Sequence, residues 1–129
     1  MSTIFKKIID GQIPGYIIFE DKNFLAFLDI NPVVYGHTLL IPKIEVDYFF
    51  DIDNTLLKDL IIVAKNLSSA LQKATNCKRV ALRVYGFDIP HAHVHLLPAN
   101  DNNDLSANSK LHLSNSEFQA LAAKIKTFL

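Results

Sequence analysis

The chain has 129 residues, with 13 basic and 13 acidic side chains, so its formal charge at neutral pH is zero; half of its residues are hydrophobic. That length makes one domain with a real core, the neutrality argues against a broad duplex nucleic-acid footprint, and so apolar a composition excludes disorder. A mean hydropathy of +0.18 is high for a small uncharged monomer, which predicts a subunit interface or ligand pocket for the apolar surplus.

In chain order, Phe5 to Asp10 reads as a short helix, stopped by Gly11 and by Pro14 beyond it. Tyr16 to Glu20 and Phe24 to Leu28 are β-prone runs joined through Asp21-Lys22-Asn23 as a hairpin. Asn31-Pro32 and Gly36 mark a loop, and Thr38 to Ile41 is a short buried strand closed by Pro42. Asp53 is the expected N-cap of a long helix to about Ala74, with Leu56, Leu57, Leu60, Val63, Ala64, Leu67, Ala70 and Leu71 at helical spacing.

Arg79 to Tyr85 reads as a strand, Gly86 to Pro90 as a turn, and His91 to Leu97 as a second strand closed by Pro98. Asn100 to Lys110 is polar loop. Ser114-x-x-Glu117 is a capping box opening a last amphipathic helix through Phe118, Leu121, Ala122, Ile125 and Leu129. The order is helix, hairpin, strand, helix, hairpin, helix. That is an antiparallel α+β domain of residues 1–129, with neither βαβ alternation nor a glycine-rich phosphate loop.

Cys77 is the only cysteine, so an intrachain disulfide and a Cys-x-x-Cys site are both excluded. The N-terminal residues carry no signal-like apolar segment, and the longest purely apolar run, Leu60 to Ala64, is far too short for a membrane span. A cytoplasmic protein with no membrane partner is the expectation. The charge divides unevenly: residues 1–65 hold six lysines against nine acids, and residues 66–129 hold seven basic residues against four acids. The basic half contains most of the histidines, which mildly suits an anionic ligand.

His91-Ala92-His93-Val94-His95-Leu96-Leu97 is the most unusual stretch. On a strand His91, His93 and His95 share one face while Ala92, Val94 and Leu96 face the core. A lone histidine is usually a satisfied structural one, but three on one face backed by apolar residues point to a site. Metal binding is one reading, disfavoured because Cα atoms four residues apart on a strand stand roughly 13 Å from each other and no cysteine completes a site. Phosphorus chemistry is the other: a neutral imidazole attacks phosphorus to form a covalent N–P intermediate. There His93 is the nucleophile, with His91 and His95 as orienting and phosphate-binding groups.

These residues resemble the histidine triad (HIT) superfamily, in its small Hint-like branch, whose signature alternates three histidines with apolar residues and ends in two of them. The resemblance extends to Ile4-Phe5-Lys6-Lys7-Ile8-Ile9 with Ile13-Pro14, to Phe19-Glu20-Asp21, to Leu25 through Pro32, and to Gly36 through Lys43. It implies a HIT-like antiparallel sheet with one long helix and short flanking helices, the sheet continued across a homodimer. It also implies hydrolysis or transfer at the α-phosphate of a purine nucleotide derivative: a nucleoside phosphoramidate, an adenylated amine or a dinucleoside polyphosphate. By resemblance His93 becomes nucleotidylated, His95 contacts the phosphate, His91 supports it, and His37 is a fourth histidine beside them. Asp29 matches the position that bonds ribose hydroxyls, with Ile30 beside it, and Phe5, Ile8 and Phe27 match the walls around the base. Without the family, Phe5, Ile8 and Phe27 read as ordinary core, Asp29 as a turn cap and His37 as structural.

The departures are specific. Many relatives bind zinc with two N-terminal cysteines and a downstream histidine; here Thr3, Lys6 and Glu45 stand in those places, so no structural zinc or other cofactor is expected. Relatives often carry a longer glycine-containing loop before the triad, with glutamine and a hydroxyl residue near the phosphate. Here Gly86-Phe87-Asp88-Ile89-Pro90 puts Phe87 and Asp88 there. A carboxylate beside a phosphate is repulsive unless protonated or paired, so Asp88 either acts as an acid toward the leaving group or selects a cationic one; the alternative is that it simply caps the turn. The resulting expectation is a HIT-type phosphoramidase or nucleotidyl hydrolase. The alternatives are a nucleotide-binding regulator whose catalysis has faded and a small histidine-rich metal-binding protein.

Overall fold

Backbone hydrogen bonding sorts the chain into five strands and three helices in the computed structural model, which describes residues 3–106 and 111–129. Helix α1 spans Ile4–Ile9; the Thr3 hydroxyl caps it by accepting the Lys6 N–H at 3.0 Å. It ends at Gly11, whose φ of +75° is the left-handed conformation that glycine takes without steric cost. Thr3 and Lys6 therefore serve the helix itself, and Lys6 Nζ also pairs with Asp10 at 3.2 Å.

Strands β1 (Ile17–Glu20) and β2 (Phe24–Leu28) form the expected hairpin. Its turn is closed by Asp21 Oδ1, which accepts the backbone N–H of Asn23 at 2.8 Å and of Phe24 at 2.7 Å. Strand β3 (Thr38–Pro42) pairs with β2, then α2 (Asn54–Thr75) crosses the sheet. Asp53 caps α2 through the Leu56 N–H, and Asn76 ends it in the left-handed region at φ 56°. Strands β4 (Arg79–Arg83) and β5 (Val94–Ala99) form the second hairpin, and α3 (Asn115–Lys126) opens on the Ser114–Glu117 capping box. The antiparallel sheet runs β1-β2-β3-β5-β4. Among the described residues no helix is long and apolar enough to cross a membrane.

The alternation of side chains divides the core in two. Phe24, Ala26, Leu28, Leu40, Val94 and Leu96 face the larger layer beneath α2 and α3. Leu25, Phe27, Leu39 and Ile41 face the smaller layer, where Phe5 of α1 packs on them. Residues 93 and 95 alternate with Val94 and Leu96, so their rings belong to the α1 side of the sheet. That is how a short N-terminal helix and the histidine segment come to enclose one space.

Several boundaries differ from the expectation; α1 and β1 shift by one residue and β3 includes Pro42. Strand β5 begins at Val94 rather than His91, because the Ala92 N–H donates to the Val46 carbonyl at 2.6 Å and not to a neighbouring strand. It continues through Pro98; β3 pairs only as far as Leu96, so this end of β5 has a neighbour on one side, where proline is tolerated. Strand β4 stops at Arg83, short of Tyr85. Helix α3 stops at Lys126, which leaves Leu129 exposed instead of on the apolar face. Of the polar stretch expected over 100–110, residues 107–110 lie outside the described residues, and 102–105 form a short 3₁₀ turn.

Candidate active site

The β3–β5 pairing sets Leu39 opposite His95, which carries His37, one residue before β3, to the side of the His95 ring. Asp29, directly after β2, is tied to the same place by its N–H donating to the His37 carbonyl at 3.0 Å. A cavity of about 370 Å³ opens on this face between α1 and the end of the sheet. Phe5, Ile8, Phe27, Asp29, Ile30, Asp88, His93 and His95 all line it; His37 and His91 do not.

Hydrogen bonds assign each imidazole a tautomer. The buried His93 places Nδ1 2.7 Å from the His91 carbonyl, so Nδ1 carries the proton and donates it, leaving a lone pair on Nε2. The Phe5 ring meets His93 edge-on at 4.9 Å between centroids and fixes its plane. His91 does not present its ring to the cavity. Its Nε2–H donates to the Pro42 carbonyl at 2.7 Å, and its backbone N–H donates to the Ile89 carbonyl at 2.8 Å. The orienting group that His91 supplies to His93 is thus its main-chain carbonyl. The His91 ring still lies on the Phe5 side with His93, edge-on to Phe5 at 6.1 Å, although the chain at 91–93 is not yet in the sheet ladder.

His37 and His95 form a directed relay. The Val33 N–H donates to His37 Nδ1 at 3.1 Å, which leaves the proton on His37 Nε2. That N–H donates to His95 Nδ1 at 3.0 Å, which in turn puts the His95 proton on Nε2 as a free donor. Burial lowers both imidazoles from 6.5 to about 4; the Arg83 cation adds to the effect on His37, and His37 and His93 add to it on His95. Both rings are therefore neutral at neutral pH, as the relay requires. Asp29 Oδ1 accepts the Asn31 N–H at 2.8 Å, and Oδ2 lies 3.6 Å from His37 Nε2. Burial raises the Asp29 carboxyl above its ordinary value, opposed by that Asn31 hydrogen bond.

The cavity's far wall is apolar, with Phe5 and Phe27 packed edge-to-face at 5.6 Å. Asp88 sits at its mouth, 70% exposed, with Oδ1 3.8 Å from His93 Nε2 and accepting the Ile89 N–H at 2.9 Å. One face of the cavity can hold a flat apolar ring, and the other offers a lone pair on His93 beside a donor on His95.

Asp29, His37 and His95 also place one ligand atom each within 4.8 Å of one another. A metal there would need a lone pair on His37 Nε2, and so a proton on Nδ1 facing the Val33 N–H. The observed relay opposes that exchange, so the residues fit proton holding better than metal ligation. The Pro42, His91 and Val33 main-chain partners were not foreseen; backbone groups leave no signature in residue type. Leu39 and Ile89, also in the lining, carried only the general signal of apolar residues beside the motif.

The HIT domain family model matches residues 10–102, a span containing both histidine groups and the whole sheet. The chain belongs to the HIT family. An uncharacterized HIT-like protein of Borreliella burgdorferi is 34% identical over 131 residues, covering 95% of this chain and 94% of that one. Adenosine 5′-monophosphoramidase of Saccharomyces cerevisiae is 37% identical over 101 residues, covering 78% of this HIT chain and 64% of the yeast protein. Among solved structures, a Hit-like protein of Bartonella henselae superimposes with a TM-score of 0.86 at 26% identity, over 99% of this chain and 97% of that one.

Proposed function

We propose that this HIT protein hydrolyses or transfers at the α-phosphate of a purine nucleotide derivative, through a nucleotide held covalently on His93. What carries the reading is the 2.7 Å bond from His93 Nδ1–H to the His91 carbonyl, which leaves Nε2 unprotonated and facing the cavity. The base lies between Phe5, Ile8 and Phe27, Ile30 covers it, and Asp29 accepts the ribose hydroxyls. His95 Nε2–H donates to a non-bridging phosphate oxygen, where negative charge grows as the phosphorus is attacked.

In the first step His93 Nε2 bonds to phosphorus while the bond to the leaving group breaks, its electron pair going to the departing atom. A solvent proton relayed by Asp88 reaches that atom, an amine nitrogen in a phosphoramidate. Water then attacks phosphorus, the N–P bond returns its pair to His93, and one proton is released with the nucleotide. Proton uptake and release balance over the cycle. The name of the yeast relative, adenosine 5′-monophosphoramidase, supports a P–N bond as the target.

A homodimer joined edge to edge suits the sheet. Of its two edges, β1 is bulged between Ile17 and Phe19, while β4 is regular, free of proline and leaves Leu82 46% exposed. The lone free Cys77 suits a reducing, cytoplasmic setting. One observation favours a second reading, a nucleotide-binding regulator: the Asp88 carboxylate, 3.8 Å from His93 Nε2, repels a phosphate. Incubation with adenosine 5′-phosphoramidate separates the two. Release of AMP that disappears in His93→Ala supports the hydrolase; AMP binding without turnover by the native protein supports the regulator.

A further inference from the structure

His93 lines two concavities, not one. Besides the nucleotide cavity it forms part of a groove of about 320 Å³ with Tyr48, Phe50, Tyr85 and Phe87, at the small end of ligand-site volumes (~300–1,000 Å³). The turn before the histidines divides the two spaces: Gly86 and Phe87 face the groove, whereas Asp88 and Ile89 face the cavity. Nothing in the described chain covers these rings. Phe87 is 97% exposed, Phe50 70% and Tyr48 60%. Four exposed aromatics around one groove are too many for incidental surface hydrophobes, which ordinarily scatter singly.

Their placement is organised. Tyr48 and Phe50 meet edge-on at 5.7 Å, and Phe49 meets Phe50 edge-on at 5.4 Å. The Tyr85 ring lies 5.7 Å from His95, and its hydroxyl accepts Arg83 Nη1–H at 2.7 Å. Arg83 makes a second bond, from Nη2 to the Leu105 carbonyl at 2.6 Å. Beside the reacting nitrogen stands the Asp88 carboxylate, and the groove lining adds Asp47, while the Arg83 cation is bonded to the Tyr85 hydroxyl and to the Leu105 carbonyl. Aromatic walls with the Asp88 carboxylate beside the reacting nitrogen favour an aromatic ring on a chain whose nitrogen becomes cationic.

We infer that the Tyr48–Phe50–Tyr85–Phe87 groove is the leaving-group subsite and that it takes an alkylamine bearing an aromatic ring. This rests on His93 as the nucleophile. As the P–N bond breaks and the amine nitrogen receives its proton, the ring is held between Phe50 and Phe87, and the nitrogen lies beside Asp88. Charge then develops next to a carboxylate already in place.

The test compares adenosine 5′-phosphoramidates of 2-phenylethylamine and n-butylamine on the full chain. The expected ratio of kcat/KM is on the order of 10 in favour of the ring-bearing amine, the scale of one or two ring–ring contacts. Phe87→Ala and Phe50→Ala each bring the ratio toward one, while Asp88→Asn lowers kcat on both amines and leaves the ratio standing. Both phenylalanines are exposed, and a thermal melt of each variant checks the fold. A ratio near one in the native protein, or a ratio unchanged in both variants, overturns the inference. So does dissociation of a dimer by these substitutions without loss of the ratio, which would assign the groove to a second copy of the chain. Failure to release AMP even from the unsubstituted phosphoramidate would instead bring down the hydrolase reading itself.

Discussion

Replacing His37 with glutamine removes a titrating ring while keeping an amide donor for His95 Nδ1. In the folded protein His37 is buried, accepts the Val33 N–H, and is lowered to about 4. Unfolded, it titrates near 6.5. Between those values the unfolded chain binds the extra proton, so each fall in pH favours unfolding; above pH 6.5 the two states bind protons equally and this contribution is fully present. At about 1.4 kcal/mol for each pH interval of one, the loss assigned to His37 reaches about 2.5 kcal/mol at pH 4.5. Guanidinium unfolding of the native protein and His37→Gln at pH 7.5, 6.5, 5.5 and 4.5 isolates the difference, since carboxylates common to both cancel. The native protein should lose about 2–3 kcal/mol more than the variant across this range. Parallel profiles would refute the neutral relay between His37 and His95.

Other outcomes follow from the same geometry. His95→Gln should lower kcat on adenosine 5′-phosphoramidate by roughly 10²–10³ with a smaller effect on KM, as expected for removing a donor used at the transition state. Gly36→Ala should lower the guanidinium midpoint by the equivalent of about 1–3 kcal/mol, because φ is +89° there and an added Cβ would meet Thr75 Cγ2 at 2.9 Å and Pro98 Cγ at 3.1 Å. Leu82→Lys, on the exposed β4 edge, should convert a dimer to a monomer in sedimentation without loss of helical signal; an unchanged sedimentation coefficient would argue against edge-to-edge association.

Much of the fold was legible because local chemistry and burial agree. Asp21 and Asp53 act as turn and cap, and the Ser114–Glu117 box opens α3 where its sequence says. The two core layers were not read, because β2 and β3 are buried on both faces and show no polar alternation. Of the residues singled out by type, His93 and His95 from the triad spacing and Asp29, Ile30, Phe5, Ile8 and Phe27 from the family resemblance line one cavity. What could not be read was direction. The Ala92 bond to Val46 delays the ladder to Val94, and the His91 ring, though on the Phe5 side with His93, turns to the Pro42 carbonyl and not to the cavity. The groups that fix the tautomers, the Pro42 and His91 carbonyls and the Val33 N–H, belong to every residue's backbone. Only three-dimensional placement shows which of them are used. Pro98 misled for a related reason: whether proline closes a strand depends on which neighbour is missing, and that is a property of the sheet.

The most direct measurement is the intact mass of the full chain, quenched by alkaline denaturation within the first turnovers on adenosine 5′-phosphoramidate and digested to locate any adduct. Covalent attachment at His93 predicts the added mass of one adenylate on the peptide carrying residues 91–97, absent from His93→Ala. AMP released by the native protein with no adduct at any quench time, or with turnover retained in His93→Ala, would contradict nucleophilic attack by His93.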